Sequence, residues 1–355
     1  MYHTSIENIF QSRDVLSSLD RASDGEAQTV CLIPFGCIDD IFSRLKKKVF
    51  PSKKLELIKS KKNIALYNLE VYSRTTGELT HDGRFVVYKM PGYQYAYILI
   101  SLGNTNFFHH QLRTFIRLFH SEVILPFIKS NDLIRLIENY QSSNKINEIK
   151  ITRASQKIRL HDEQRMSTLT WNNSSIDDAK EWLDENDGFF KSIQFKAIEV
   201  DREVTNSFID RRGTMRIDKN FSKLFTSCIV PILSMLDSYM KLFENRGRRD
   251  NKLLKVRPLE INFETQVFME KENHVKFIKM MTYLEDTSIS VLHANPYMHL
   301  SIMDYDDGSS YDLWVVNASQ ILLVPQLRSS IISLKRIVNH IFDYYAEGEI
   351  RDHEN

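Results

Sequence analysis

Residues 64–102, IALYNLEVYSRTTGELTHDGRFVVYKMPGYQYAYILISL, contain three apolar runs that are separated by turn-forming residues. The runs cover 64–73, 84–90 and 95–102, and their content of aromatic and β-branched residues is typical of strands. The residues between the runs that favour tight turns are Gly77, Gly83, Pro91 and Gly92. This stretch therefore predicts an antiparallel meander.

Strand-like runs recur along the chain, and a segment with helical spacing of apolar residues follows them near residues 106, 221 and 329. In the second of these, 221–243, Pro231 predicts a kink. Strands that are grouped before a helix favour an α+β fold over a doubly wound parallel sheet. We predict mostly antiparallel sheets, each packed by long amphipathic helices.

The length of 355 residues is suited to two domains of ordinary size. The polar stretch 141–148, QSSNKINE, is the candidate boundary between them. We predict an N-terminal α+β domain over 1–143, a C-terminal α+β domain over 149–350, and a frayed polar tail at 351–355.

The composition is that of a globular protein, with 42% apolar residues, 26% charged residues and a net charge of +1. This balance excludes a uniformly basic coat but leaves room for local basic patches. Glycine is scarce, at 11 residues, and the chain has no glycine-rich phosphate loop, nucleophile elbow or HExxH motif. These features favour a non-catalytic protein without a cofactor.

The three cysteines, Cys31, Cys37 and Cys228, show neither the spacing of a zinc site nor the density of a disulfide scaffold. The N-terminus lacks the pattern of a signal peptide. The apolar segment 221–243 is interrupted by charged residues, so we predict no membrane span. The expected location is the cytoplasm.

The segment 44–62, RLKKKVFPSKKLELIKSKK, is the most basic part of the chain and contains a single acidic residue, Glu56. Clustered cations neutralise phosphates and release counterions, which indicates a polyanion contact. The alternative is a solvated helix end, where the helix dipole favours cations. The candidate contact residues are Arg44, Lys46, Lys47, Lys48, Lys53, Lys54, Lys61 and Lys62.

Two further arginine groups are candidates for the same role. The first group follows the helical segment 221–243 and consists of Arg246, Arg248 and Arg249. The second is Arg211-Arg212, which lies between two strand-like runs in IDRRGTMRI. Arginine suits bidentate phosphate contacts, and a hairpin tip at 211–212 would present two guanidinium groups. The alternatives are cationic capping of a helix end and an ordinary polar turn.

Asp304, Asp306 and Asp307, with His293 and His299 upstream, form the best acidic constellation. Carboxylates and imidazoles near a strand end can hold a divalent cation. Strand alternation, however, places His299 on the opposite face from Asp304, and aspartates before a glycine also favour a turn. We predict no resident metal and keep this constellation as an alternative.

The leading hypothesis is an accessory or adaptor protein that binds nucleic acid, such as DNA, or another polyanion through these basic patches. It implies a protein partner or a homo-oligomer. One alternative is a metal-dependent nuclease or phosphodiesterase that uses Asp304, Asp306 and Asp307. The other is a purely protein–protein scaffold subunit.

Overall fold

The computed structural model combines helices with antiparallel sheets, which confirms the α+β fold class. It describes residues 6, 10, 17, 18, 20, 27–35, 37–47, 52–102, 105–119, 122–158, 166–186, 188–200, 202–244, 246, 257–294 and 297–353. Side chains are not described at 44–47, 157, 158, 166–170, 172 and 173.

Two compact units make up the chain, Met1–Asp237 and Ser238–Asn355. The predicted boundary at 141–148 lies inside the first unit, between a helix that ends at Ser143 and a strand that begins at Glu148. That the chain forms two independently folding domains stays a prediction.

The first unit is built on an eleven-stranded sheet in the order β2-β3-β4-β5-β1-β11-β10-β9-β7-β8, with β6 paired to β1. All of its described strand pairs are antiparallel, and β3, β4 and β5 form the predicted meander. The strands are β1 Ala27–Pro34, β2 Lys53–Lys61, β3 Ile64–Tyr72, β4 Leu79–Lys89, β5 Tyr97–Leu102, β6 Val123–Ile124, β7 Glu148–Ile158, β8 Met166–Ser174, β9 Gly188–Glu199, β10 Arg202–Asp210 and β11 Thr214–Ile217.

The described helices of this unit are mostly short, so the predicted long amphipathic helices are not confirmed. They are α1 Ile38–Lys47, a π-helical turn Phe107–Leu112 that leads into α2 Arg113–Arg117, α3 Ser130–Ser143, α4 Ile176–Glu185, α5 Phe221–Leu224, a π-helical segment Phe225–Ile229 and α6 Val230–Phe243, whose last six residues belong to the second unit. The segment near 221 is continuous over 23 residues, but its hydrogen-bond pattern changes beside Pro231, which has no N–H to donate to the preceding turn.

The second unit contains a six-stranded antiparallel sheet in the order β13-β14-β15-β16-β12-β17. Its helices are α7 Lys271–Met281 and α8 Ile331–Tyr344. Its strands are β12 Leu259–Phe263, β13 Thr287–His293, β14 His299–Asp304, β15 Ser310–Asn317, β16 Gln320–Pro325 and β17 Gly348–Asp352.

Two strands lie in segments for which the sequence predicted none. The basic segment 44–62 contains β2 after Pro51, an edge strand in which Leu55 is buried against the sheet. The tail is ordered through Asp352, because β17 pairs with β12 and buries Ile350. In both cases one inward-facing apolar residue per strand, flanked by charges, was too weak a pattern to predict a strand.

One row of directly opposed residues crosses the first sheet and identifies the same face on each of its strands. Opposed residues in antiparallel strands point to the same face. The row is Phe85, Ser101, Gln28, Arg216, Phe208, Gln194 and Arg153, from β4 through β5, β1, β11, β10 and β9 to β7. We call it the crossing row.

Helices cover opposite faces of the two halves of this sheet. On the crossing-row face, α1 packs on the first half, with the Phe42 ring centroid 6.3 Å from that of Phe85. In the second half, α3 packs on the other face, where the Tyr140 ring lies 6.1 Å from that of Phe195. Because Phe195 follows Gln194 in β9, the two side chains lie on opposite faces. The β7 to β11 part of the crossing row is therefore left without this helical cover.

Gly83 allows the π-helical turn to lie directly on β4. A Cβ at this position would be 2.4 Å from the ring of Phe107, which is buried in the same core as Phe85 and Phe108. The Cα hydrogen of Gly83 fits beneath the ring, whereas the methyl group of an alanine would overlap with it. The turn that begins at Phe107 is thus held at a fixed height above the sheet, and it carries His109.

The Gly83→Ala substitution is expected to destabilise the protein by about 1–3 kcal/mol, because it overpacks this contact. Urea-induced unfolding measures the effect. In a Phe107→Leu background the same substitution should cost less, since the smaller side chain leaves space. An equal cost in both backgrounds would show that Gly83 does not set this contact.

The helix Phe221–Phe243 is long and apolar enough, by length and composition, to cross a membrane. Within the described part of the chain it is the one helix that meets this criterion. Of its most apolar stretch of 18 residues, 56% is buried inside the protein. Leu224, Ile229 and Leu236 are among its buried side chains, as is Cys228. These contacts are those of a core helix.

Candidate anion-binding site

A cavity of about 310 Å³ lies on the crossing-row face in the second half of the sheet, the face opposite the one that α3 covers. Its side chains come from β7, β9, β10 and β11 and from the π-helical turn above them. They are His109, Arg153, Ser155, Ser192, Gln194, Phe208 and Arg216. We call this cavity the arginine pocket.

Asp210, at the end of β10, connects the pocket floor to the helix above it. Its Oδ1 accepts hydrogen bonds from the backbone N–H groups of Arg212 and Thr214, each at 2.9 Å. Its Oδ2 lies 2.6 Å from a guanidinium nitrogen of Arg113 in α2. The carboxylate is buried, so this charge-assisted set fixes the hairpin tip against α2.

Three arginines, Arg113, Arg117 and Arg212, surround Asp210 and form what we call the arginine rim. Partial desolvation lowers the pKa of Arg117, and the charges of Arg113 and Arg212 lower it further while Asp210 opposes them. Within the described part of the chain, no carboxylate lies within ion-pair distance of the guanidinium groups of Arg117, Arg153 or Arg216. Rim and pocket together carry an excess of positive charge.

His109 joins the two groups, because it lines the pocket and lies one helical turn before Arg113. Burial lowers the pKa of His109, and the positive charges of Arg113 and Arg216 lower it further. Asp210 acts in the opposite direction and His110 in the same one. An anion that enters the pocket would relieve the repulsion among these cations.

The lowered pKa of His109 predicts a pH-dependent stability. The unfolded chain, with an ordinary histidine pKa near 6.5, binds the proton more readily than the folded one, so acidification favours unfolding. The wild-type protein should therefore lose stability relative to His109→Gln as the pH falls from about 7.5 to about 5.5. Urea unfolding at each pH measures the difference. A difference that stays constant over this range would contradict the assignment.

The structure describes part of the predicted basic segment 44–62, and its lysines lie on or beside the edge strand β2. Lys54 is exposed and pairs with Glu70 at 3.3 Å, and Lys61 donates to the backbone oxygen of Phe10 at 3.0 Å. Lys62 is exposed, whereas Lys53 is half-buried, and burial lowers the pKa of Lys53. Lysines on an exposed edge strand also protect it from pairing with other chains.

Four other candidate residues of the segment cannot be assigned contacts. The side chains of Arg44, Lys46 and Lys47, on the last turns of α1, and the whole of Lys48 lie outside the described residues. Their predicted contact with a polyanion stays a prediction.

The hairpin prediction for Arg211-Arg212 agrees with the β10–β11 pairing. Arg211, however, is 3% exposed, and its guanidinium carbon lies 4.1 Å from the Phe127 ring centroid and 4.4 Å from that of Phe189. This cation–π sandwich places Arg211 in the core. Arg212 is partly exposed, and it belongs to the arginine rim.

Arg246 belongs to the second unit and is also 3% exposed. Its guanidinium pairs with Asp352 on β17 and donates to the backbone oxygen of Pro258 at 3.3 Å. The neighbouring candidates Arg248 and Arg249 lie outside the described residues. These contacts show that Arg246 stabilises the fold of the second unit, so it is not part of the candidate site.

The acidic constellation is built around an arginine. Asp304 is 1% exposed, accepts a hydrogen bond from Ser333 Oγ at 2.5 Å and lies 2.8 Å from Arg336. Arg336 also pairs with Asp306, and Asp307 accepts from the backbone N–H of Ser309 at 2.9 Å in the predicted turn. Burial alternation along β14 places His299 on the opposite face from Asp304, as predicted.

These contacts satisfy the carboxylates without a cation. Among the described residues, no group of three or more His, Cys, Asp or Glu side chains has the arrangement of a metal site. The three cysteines are free thiols, with Cys31 and Cys228 buried. Burial raises the pKa of Cys228 to about 12.

The sequence predictions missed most of the pocket. Arg153, Gln194, Phe208 and Arg216 are spread over 64 positions and meet through strand pairing alone. One local signal was present, because His109, Arg113 and Arg117 follow one another at intervals of four residues. That spacing places three basic side chains along one helical face.

No protein-family model and no curated protein sequence matches this chain. Its function is therefore inferred from the chemistry of the site.

Proposed function

We propose that this chain is a non-catalytic accessory protein that binds nucleic acid or another polyanion. The contact surface is the arginine rim together with the arginine pocket on the first unit. The observation that carries the proposal is a group of five arginines: Arg153 and Arg216 line the pocket, and Arg113, Arg117 and Arg212 lie near the buried carboxylate of Asp210.

The charges of this surface support phosphate recognition. Arginine offers several N–H donors in a planar fork that matches phosphate oxygens, and it keeps its charge at all physiological pH values. Ser155, Ser192 and the amide of Gln194 add neutral hydrogen-bonding groups beside Arg153 and Arg216. Lining of this kind, with the aromatic ring of Phe208, also suits an unpaired base, because bases stack on aromatic side chains.

The Arg117→Gln substitution is expected to weaken binding of a single-stranded oligonucleotide by roughly threefold to tenfold. It should also make the logarithm of the binding constant less steeply dependent on the logarithm of salt concentration, by about 1 in slope. Arg117 is exposed and has no described ion-pair partner, so the fold should tolerate the change. Fluorescence anisotropy across a salt series, with single- and double-stranded DNA and RNA, is the measurement.

Arg135→Gln is the matched control, because Arg135 is exposed on α3, which covers the other face of the sheet. It should leave the binding constant unchanged. A second comparison is Lys62→Gln in the basic segment. Loss of binding in Lys62→Gln with none in Arg117→Gln would transfer the interface to segment 44–62, and no binding by the wild-type protein at low salt would remove the proposal.

A protein–protein scaffold is the second candidate, and the second unit supports it. Trp314 and Val316 are neighbours on the face of β15 that alternates with the buried core residues, and they are 40% and 42% exposed. Exposed aromatic and apolar side chains that adjoin one another are typical of protein contact surfaces. The salt series separates the two candidates, since an apolar interface is only weakly screened by salt.

A further inference from the structure

Among the residues whose side chains the structure describes, the crossing row is exposed at the β7 end of the arginine pocket and fully buried at the β1 end. At the β7 end Arg153 is exposed, and Gln194, Phe208 and Arg216 are each partly buried. The next member of the row, Gln28 on β1, is 0% exposed, and Ser101 beyond it is 1% exposed. A groove on this face therefore ends beside Arg216.

The π-helical turn closes the same end from above. His109 lines the pocket from this turn, and the turn rests on β4 because Gly83 lets the Phe107 ring approach the strand. Thr105, just before the turn, accepts a hydrogen bond from Gln28 Nε2 at 3.0 Å. A continuous polymer backbone needs an exit at both ends of its groove, whereas the terminus of a chain needs one opening.

Arg216 and Arg153 lie at the two ends of the part of the crossing row that lines the pocket. Arg153 and Arg216 are three strands apart, which places their Cα atoms about 14 Å from each other at the usual spacing of neighbouring strands. Two arginine side chains can converge from that separation on a group above Gln194 and Phe208. Ser155 and Ser192 provide hydroxyl donors at the same level.

The charge of the pocket matches a phosphomonoester better than a phosphodiester. An internal phosphodiester carries one negative charge, whereas a terminal phosphate carries about 1.5 to 2 at neutral pH and has three acceptor oxygens. Two arginines and His109 surround the space that the phosphate would fill, and repulsion within this set contributes to the lowered pKa of His109. The cavity volume of about 310 Å³ is at the lower limit for small-ligand sites.

We infer that the arginine pocket binds the terminal phosphomonoester of a nucleotide, either at the end of a nucleic-acid strand or in a free mononucleotide. Arg153 and Arg216 bind the phosphate oxygens, and the ring of Phe208 supports the adjoining base or sugar. This inference rests on the proposed function and names the part of the nucleic acid that enters the pocket. The arginine rim then contacts internal phosphates outside it.

The test compares one fluorescent oligonucleotide sequence in three forms: with a 5′-phosphate, with a 3′-phosphate and with neither. Thymidine 5′-monophosphate is the free competitor. One phosphorylated end should bind roughly tenfold more tightly than the unphosphorylated strand, as expected for an added charge-assisted contact. Arg216→Gln should abolish this preference, so that the phosphorylated and unphosphorylated strands bind with equal affinity.

Arg153→Gln should have the same effect, and because Arg153 is exposed it remains informative if Arg216→Gln does not fold. Lys62→Gln, outside the pocket, should keep the full preference. Equal affinity for all three forms overturns the inference and leaves the proposed function standing. A preference that survives in both arginine variants also overturns it.

The mononucleotide arm separates the inference from the proposal on which it rests. Binding of thymidine 5′-monophosphate that is lost in Arg153→Gln, with no binding of any oligonucleotide, supports the pocket and refutes nucleic-acid binding. Tighter binding of one phosphorylated strand end than of the mononucleotide supports both. No binding of any of these ligands overturns both.

Discussion

The carboxylate of Asp210 is the point on which the arrangement of the first unit's site depends. It is buried at the end of β10, and it accepts hydrogen bonds from two backbone N–H groups of the hairpin tip and from Arg113 on α2. A buried charge of this kind is costly unless it is paired and fully hydrogen-bonded. Because Asp210 meets that condition through α2 and the hairpin together, it ties the helix that follows His109 to the strands that carry Phe208 and Arg216.

The sheet itself provides the second constraint. Helices cover the crossing-row face over the first half and the opposite face over the second half, and β1 lies where the cover changes. Polar residues of the row are therefore fully buried on β5 and β1 and partly exposed from β11 to β7. Where the helical cover changes from one face to the other, a cavity can have a helical wall and a floor of strand residues. This arrangement brings His109 of the wall close to Arg216 of the floor.

Much of the fold could be predicted from local patterns, and the site could not. Alternation and turn residues predicted the meander, the hairpin at Arg211-Arg212 and the turn after Asp304, because each depends on neighbouring residues. The strand β2 was missed since lysines dominate it, and the ordered tail was missed since one buried residue, Ile350, holds it to the sheet. Pairing of β1 with β11 joins residues nearly 190 positions apart, and no local pattern contains that register.

The positions of basic residues in the sequence also did not show which arginines are accessible to a ligand. Arg211 and Arg212 are adjacent and chemically identical, but Arg211 lies between two phenylalanine rings and Arg212 stands beside Asp210. Arg336, which no basic cluster contains, accounts for the acidic constellation at Asp304. Burial and pairing, which only the tertiary structure provides, distinguish structural arginines from those of a binding surface.

A crystal structure of the protein with a short 5′- or 3′-phosphorylated oligonucleotide tests the central claim most directly. The account predicts electron density for a terminal phosphate between the guanidinium groups of Arg153 and Arg216, with the adjoining nucleoside against Phe208. Density for the oligonucleotide on another surface, with the arginine pocket empty, would contradict it.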